Sequence, residues 1–194
     1  MSLLIDRLVK DHEHLLRLLD CLDYEVSGYR DDSEHTPKVW LILDALDYLH
    51  HYPDCFHHPL ESRLLSRLRP RLTDASQRAV MAEVEAEHKE IRQLTTSLIE
   101  RFNALAMDQI IPVNQLLADY QKYVELQRTH IRKENRVLIP AMKAILTEED
   151  FSQVGEALKG TPDPLFGSHT WESYENLYQF VVEVPVDQVV AKAH

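Results

Sequence analysis

Apolar residues recur every three or four positions along most of this chain, the pattern of helices that bury one face. Pro37 suits the first turn of a helix and Asp74 suits a helix cap. Short connections between long amphipathic helices indicate an all-α, antiparallel up-down four-helix bundle. The four predicted helices run from about Leu3 to Tyr29, from Pro37 to Leu68, from Thr73 or Asp74 to about Leu105, and from after Pro112 to about Leu146.

Prolines interrupt the second and fourth predicted helices. Pro53 and Pro59 each remove a backbone hydrogen bond and crowd the preceding turn. Because helical periodicity resumes at Leu60, we interpret them as kinks in a continuing helix. The alternative is a helix that breaks near Tyr52 and restarts. Pro140 is expected to bend the fourth helix in the same way.

The last quarter of the chain differs from the four long periodic segments. The residues 147–150 predict the capping-box start of a short helix, and a turn region over residues 160–167 follows. Residues 168–184 predict an aromatic-rich amphipathic helix that packs across the bundle or against a second copy of the chain. We therefore divide the chain into a bundle over residues 1–146 and a C-terminal extension over residues 147–194.

Composition agrees with a helical protein and excludes several functions. Only 4 of the 194 residues are glycine, and the length suits one domain. A net charge of −11 opposes binding to nucleic acids and to anionic membranes. No apolar run is long enough to span a membrane, and the N-terminus lacks a signal-peptide pattern. Two cysteines are too few for a disulfide scaffold, which favours a reducing cytoplasm.

A repeated motif and a count of 11 histidines point to metal chemistry. Histidine followed by glutamate four residues later occurs at His57 and Glu61 and again at His130 and Glu134. Four residues span about one helical turn, so each imidazole lies above its carboxylate on one helix face. An imidazole and a carboxylate stacked in this way can both reach a single metal centre.

A weaker repeat precedes each copy of the motif. An acidic residue followed by histidine occurs at Asp11-His12 and again at Glu87-His88. These helices are otherwise lined by Leu, Ile and Val, and buried polar groups are costly unless they are paired or coordinated. Imidazole and carboxylate together suit iron, manganese or zinc, and each glutamate can bridge two metals. The candidate metal ligands are His12, His57, Glu61, His88, His130 and Glu134.

Two alternative interpretations of these residues are weaker. Solvated or hydrogen-bonded histidines would account for one isolated motif, but they account poorly for two copies in matching positions. A ferritin-like site needs Glu-x-x-His on two helices, and only Glu85 with His88 fits that spacing. A dinuclear site with four histidines and two glutamates is therefore the favoured interpretation.

Several neighbouring side chains have less definite roles. His50 and Asp54 fall on the ligand face, where they could orient an imidazole, although solvent exposure is an equal option for His50. His58 has no glutamate four residues on, so a surface position is expected. Cys55 is expected to be a small core residue. Tyr123 is expected in the core, with a hydrogen bond to a bound oxygen species as the alternative.

At these motifs the chain resembles the hemerythrin-like, or HHE cation-binding, family. A short segment in the C-terminal extension is also similar to many bacterial members, so the resemblance covers nearly the whole chain. The matching segments are Asp11-His12, Tyr-Pro-Asp-Cys-Phe-His-His-Pro-Leu-Glu, Glu87-His88, His130-x-x-x-Glu134 and Asp163-Pro-Leu-Phe-Gly167.

The resemblance implies a centre of two non-haem iron ions bridged by both glutamates, with other divalent metals as an option. By the family pattern, His12 and His57 would serve one iron, and His88 and His130 the other.

One residue departs from the oxygen-carrying hemerythrins. They place a second histidine one turn before the third-helix ligand, and this chain has Val84 there. The second iron would be one ligand short unless Glu85, His58, water or an exogenous ligand completes it.

The sequence therefore indicates a cytoplasmic protein that binds or senses O₂ or NO at a di-iron centre. A metal- and ligand-binding role is favoured over a dedicated enzyme. The alternatives are an enzyme that acts on NO or peroxide or repairs iron centres under stress, and an iron storage or buffering protein. The expected partners are O₂, NO or peroxide, with a homodimer or a separate signalling or redox protein left open.

Overall fold

The computed structural model describes residues 3–30, 33–156, 163–167 and 170–183. Helices occupy most of these residues, and none of them lies in a β-strand. The α-helices are Leu3–Ser27 (α1), Val39–Tyr52 (α2), His58–Leu68 (α3), Ala75–Ala106 (α4), Val113–Lys133 (α5), Ile139–Ile145 (α6), Glu148–Glu156 (α7) and Glu175–Glu183 (α8).

Four helical rods form the bundle. The first rod is α1 and the third is α4, whereas the second joins α2 to α3 and the fourth joins α5 to α6. The first rod contacts α2 and α5, and α4 contacts the same two helices, so the rods close into a ring in chain order. Rods that follow one another in the chain are neighbours in space and therefore run antiparallel. The predicted all-α bundle is confirmed.

The second rod continues through its prolines without a break. Tyr52 and Pro53 keep right-handed helical dihedral angles, with φ of −64° and −59°. Pro59 has no N–H, and its ring crowds the carbonyl four residues back. The residue before it, His58, donates its backbone N–H to the Pro53 carbonyl five residues back, which makes Pro53–His57 a π-helical turn. The interpretation as a continuing helix was correct, and a break near Tyr52 was wrong.

The fourth rod also contains a π-helical turn, next to the His130–Glu134 motif. Pro140 follows Ile139, whose backbone N–H donates to the carbonyl of Glu134 five residues back. The segment Glu134–Leu138 is accordingly a π-helical turn between α5 and α6. Such wide turns inside helices frequently lie at functional sites.

Capping residues set two helix starts where the sequence predicts them. The Asp74 side chain accepts hydrogen bonds from the backbone N–H groups of Ser76 at 2.7 Å and Gln77 at 3.1 Å. The Thr147 backbone N–H donates to the Asp150 carboxylate at 2.9 Å, and the Asp150 N–H donates to the Thr147 hydroxyl at 3.3 Å. These contacts satisfy N–H groups that lack a partner within the helix.

The apolar core consists of two clusters of buried residues. The large cluster includes Leu15, Leu46, Phe102 and Tyr123, and the small cluster includes Leu8, Leu64, Val84 and Leu138.

A layer of buried polar residues separates these two clusters. On α1, Leu8 belongs to the small cluster and Leu15 to the large cluster, and His12 lies midway between them. On each of the other three rods, the candidate histidine likewise lies between residues of the two clusters. The metal-binding candidates therefore occupy one level of the bundle, with apolar packing on both sides.

The C-terminal extension lies against the bundle. Leu177 and Val181 of α8 join the large cluster, and Arg17 of α1 donates two hydrogen bonds to the Val181 carbonyl, at 3.2 and 2.8 Å. The helix α8 thus packs on α1 and α2. It begins at Glu175, after a 3-10 turn over Glu172–Tyr174, later than predicted.

Some residues of the predicted turn and helix in the extension cannot be compared with the structure. Residues 160–162 of the predicted turn and residues 168, 169 and 184 of the predicted helix lie outside the described residues. The division of the chain at residue 146 stays a prediction.

Candidate metal centre

All six predicted ligands meet in the polar layer, and they form two groups. In the first group, Nε2 of His12 lies 3.1 Å from Nε2 of His57 and 2.9 Å from Oε2 of Glu134. These three side chains are buried, and each offers one ligand atom within 4.8 Å of the others. A metal held at about 2.1 Å by each ligand atom keeps its donors within about 4.2 Å of one another. Both separations from Nε2 of His12 already meet this requirement.

The second group faces the first across Glu134. Nε2 of His130 lies 2.9 Å from Oε1 of Glu134, and Nε2 of His88 lies 3.7 Å from the same oxygen. Nε2 of His88 also lies 3.2 Å from Oε2 of Glu61. One oxygen of Glu134 therefore faces each group, so the two groups share this carboxylate.

Five donor atoms in this layer are buried without a hydrogen-bond partner among the described residues. They are both carboxylate oxygens of Glu61, both of Glu134, and Nε2 of His88. The nitrogen–oxygen distances above are short enough for ion pairs, but the contacts of these atoms lack hydrogen-bond directions. Buried polar atoms left in this state are costly unless something else satisfies them. A metal ion between the nitrogen and oxygen lone pairs would do so, and the donor set fits one.

Four histidines have one ring nitrogen fixed by an outer partner, which leaves Nε2 for the centre. The Nδ1 contacts are with Asn135 for His12 at 2.8 Å, Asp11 for His57 at 3.2 Å, Asp54 for His58 at 3.0 Å, and Glu87 for His130 at 3.1 Å. Behind them, the Tyr52 hydroxyl donates to Asp11 at 3.0 Å.

These outer partners are only partly visible in the sequence. The acidic residues before His12 and His88 form a repeat, but the repeat does not show that they orient other imidazoles. Asp11 in fact contacts His57, and Glu87 contacts His130 on the neighbouring rod. The signal was an acidic residue on the ligand face, whereas its partner depends on how the rods pack.

His58 is the main correction. It was expected at the surface, but its side chain is only 14 % exposed, and its ring centroid lies 4.1 Å from that of His88. One ligand atom of His58 lies within 4.8 Å of those of His88 and His130. Asp54, expected to orient an imidazole, contacts His58 rather than His57. The sequence carried no signal that could have found it, because His51 also has an aspartate four residues earlier and is 60 % exposed.

The remaining expectations divide. Cys55 is exposed, so its assignment to the core was wrong. Tyr123 is fully buried in the large cluster and accepts a hydrogen bond from Gln127 at 3.0 Å. His50 belongs to none of the candidate ligand groups in the described part of the chain.

Burial and pairing set the charges of the carboxylates. Burial favours the neutral acid of Glu134, but the surrounding imidazoles, His130 first among them, hold its pKa well below the usual range. Burial and the neighbouring charge of Glu134 raise the pKa of Glu61.

The pKa values of the histidines differ according to their carboxylate neighbours. Burial opposes the charged form of His88, yet Glu134 and Glu61 raise its pKa to about 9. Burial likewise opposes charge on His130, whose pKa Glu134 raises to about 10. Burial lowers the pKa of His58 to about 3, which leaves a neutral imidazole. Without a metal, the protons on His88 and His130 therefore balance the carboxylates, and a bound cation would replace them.

A helical bundle with histidines on all four rods and carboxylates at the same level defines a class of metal-binding bundle proteins. The family described as "Hemerythrin HHE cation binding domain" matches residues 3–142 of the chain. The chain belongs to this family, and it is therefore a cation-binding protein. No curated protein matches the sequence. Among the described residues, no helix is both long and apolar enough to cross a membrane.

Proposed function

We propose that this protein holds two non-haem iron ions and binds or senses O₂ or NO at the carboxylate-bridged centre. The observation that carries the proposal is Glu134, whose Oε2 faces His12 and whose Oε1 faces His130. A carboxylate shared in this way by two groups of imidazoles suits two metals rather than one.

The donor set is compatible with iron. Imidazoles with carboxylates suit iron, manganese or zinc, whereas no thiolate lies in the candidate groups of the described residues to favour softer ions. When bound, ferrous iron would supply a centre that takes a diatomic gas as a ligand. The protein's own contribution is to hold the four imidazoles that have outer partners in one orientation and to keep bulk water out.

Solvent reaches the two groups unequally. The side chains of His12 and His57 are 2 % exposed, whereas His88 is 12 % exposed. A small gas needs only a narrow opening, and His88 on α4 is the most exposed of the six candidate ligands. This asymmetry supports exchange of a small ligand at a centre that excludes larger substrates.

The test is anaerobic loading with Fe(II), metal analysis, and absorption spectra recorded on adding O₂ and, in a separate sample, NO. We expect about two irons per chain, from the two donor groups, and a distinct spectral change with at least one gas. Repeated turnover of NO or peroxide with a reductant would favour the enzyme alternative. Weakly held iron without any spectral response would favour storage. One tightly held metal in the wild type would contradict the dinuclear centre.

A further inference from the structure

The second metal position, beside His88 and His130, lacks the additional third-helix histidine of the oxygen-carrying hemerythrins. Val84 stands at that position, one turn before His88, and is fully buried in the small cluster. A valine side chain has no atom that can bind a metal. Glu85 does not replace it, because its carboxylate is paired with Arg69 at the surface and is 40 % exposed. A further protein donor for this position would therefore come from another helix.

His58 lies where such a donor is required. It opens α3, directly after the π-helical turn, and its ring centroid lies 4.1 Å from His88 and 6.4 Å from His130. One ligand atom of each of these histidines lies within 4.8 Å of the other two. Since Nδ1 of His58 contacts Asp54, Nε2 is the nitrogen left for a metal.

A second contact holds this imidazole in place. The Oδ1 atom of Asp54 contacts Nδ1 of His58 at 3.0 Å, and Oδ2 of Asp54 pairs with Nε of Arg92 at 2.7 Å. Arg92 lies on α4, one turn after His88. These contacts link the orientation of His58 to α4, the helix that carries His88. Carboxylates that contact metal-bound histidines fix the orientation of the imidazole in the same way.

We propose that Nε2 of His58 is a ligand of the second metal, together with His88 and His130, and replaces the histidine that Val84 excludes. Asp54 acts as a positioning residue for it. This inference rests on the dinuclear centre proposed above. It converts the second position from an under-coordinated site into one with three imidazoles.

The matched control is His51. It also has an aspartate four residues earlier, Asp47, whose carboxylate contacts Nδ1 of His51 at 3.1 Å, but its side chain is 60 % exposed. Removing either imidazole breaks the same kind of histidine–aspartate pair. Only His58 lies beside the candidate ligands.

The experiment compares wild type, His58→Ala, His51→Ala and Asp54→Asn, with helical content checked by circular dichroism. Each protein is titrated anaerobically with Co(II), whose absorption reports coordination, and the metal retained against a chelator is counted. We expect wild type and His51→Ala to retain about two metals and His58→Ala about one, because one donor set loses a ligand. Asp54→Asn should weaken the second metal by roughly 10–100-fold.

A rescue variant guards against simple loss of structure. In the double variant Val84→His with His58→Ala, the new imidazole lies one turn before His88 on the same helix face. Recovery of the second metal supports the inference. If His58→Ala and Asp54→Asn bind both metals with wild-type affinity and spectra, His58 is not a ligand and the inference fails. If wild type itself holds fewer than two metals, the dinuclear centre fails instead, so the two failures are distinguishable.

Discussion

At the scale of single residues, identical spacing leads to different environments. His51 and His58 both follow an aspartate by four residues, and both contact it, yet only His58 lies in the polar layer. The sequence revealed the doubled His-x-x-x-Glu motif because helical spacing alone brings its members together. It did not place His58, because that position depends on the π-helical turn and on the contact between Asp54 and Arg92.

The bridging role proposed for Glu134 gives the first prediction. Substitution Glu134→Ala should lower metal content from about two per chain to less than one, because the carboxylate belongs to both groups. Glu61→Ala should also disturb both metals. Glu125→Ala, which removes an exposed carboxylate from α5 in the same rod, is the control and should retain both metals. Metal analysis after gel filtration measures the difference. Unchanged content in Glu134→Ala and Glu61→Ala would rule out bridging.

The charges on His88 and His130 give the second prediction. Their raised pKa values, about 9 and about 10, mean that both are protonated at pH 7 without metal. An imidazole must lose its proton to bind a metal, so binding at pH 7 releases protons, and affinity should rise with pH by up to about tenfold per unit for each proton displaced. The increase should level off near pH 9–10. Co(II) titrations at several pH values test this, and an affinity that does not change with pH would contradict it.

At the scale of elements, the hydrophobic period predicted the four rods, because each buries one stripe. The prolines indicated where two rods depart from regular geometry, but not the form of the departure. At both Pro59 and Pro140, the preceding residue reaches a carbonyl five residues back. The choice between a continuing helix and a break depended on tertiary packing, which is not encoded in local propensity.

The packing of α8 gives the third prediction. Leu177 is 1 % exposed within the large cluster, and Val182 on the same helix is 59 % exposed. Leu177→Ala should lower the free energy of unfolding by about 2–5 kcal/mol, and Val182→Ala should change it little. Metal content should be unaffected by either change, since α8 supplies no candidate ligand among the described residues. Chemical denaturation measures stability, and equal effects of both variants would show that α8 is not docked in solution.

At the scale of the whole molecule, the polar layer divides the apolar core. Without a bound cation, carboxylates and imidazoles must balance one another between the two clusters. With a cation, the same groups become a link among all four rods. The stability of the bundle should therefore depend on metal more strongly than its helical content does.

Metal removal gives the fourth prediction. A metal present at about 1,000 times its Kd stabilises the folded state by about 4 kcal/mol. At this chain length that corresponds to a loss of roughly 8–16 °C in Tm on chelation. Calorimetry of loaded and chelated protein measures the shift, with circular dichroism to show that the helices persist at low temperature. Equal Tm values would mean that the polar layer does not hold a stabilising cation.

The positions of the ligands along the chain also set the order of events during folding. Each His-x-x-x-Glu pair can form within a single rod. His12 and Glu134 are far apart in the sequence, and they come within 2.9 Å of each other only when the first and last rods dock. Contacts between distant parts of a chain form late, because the intervening segment must first be closed into a loop. The bridged centre is therefore complete only after the fourth rod has closed the ring. Uptake of a spectroscopically visible ion such as Co(II) during refolding would report the last step of assembly, while the helical signal reports the earlier ones.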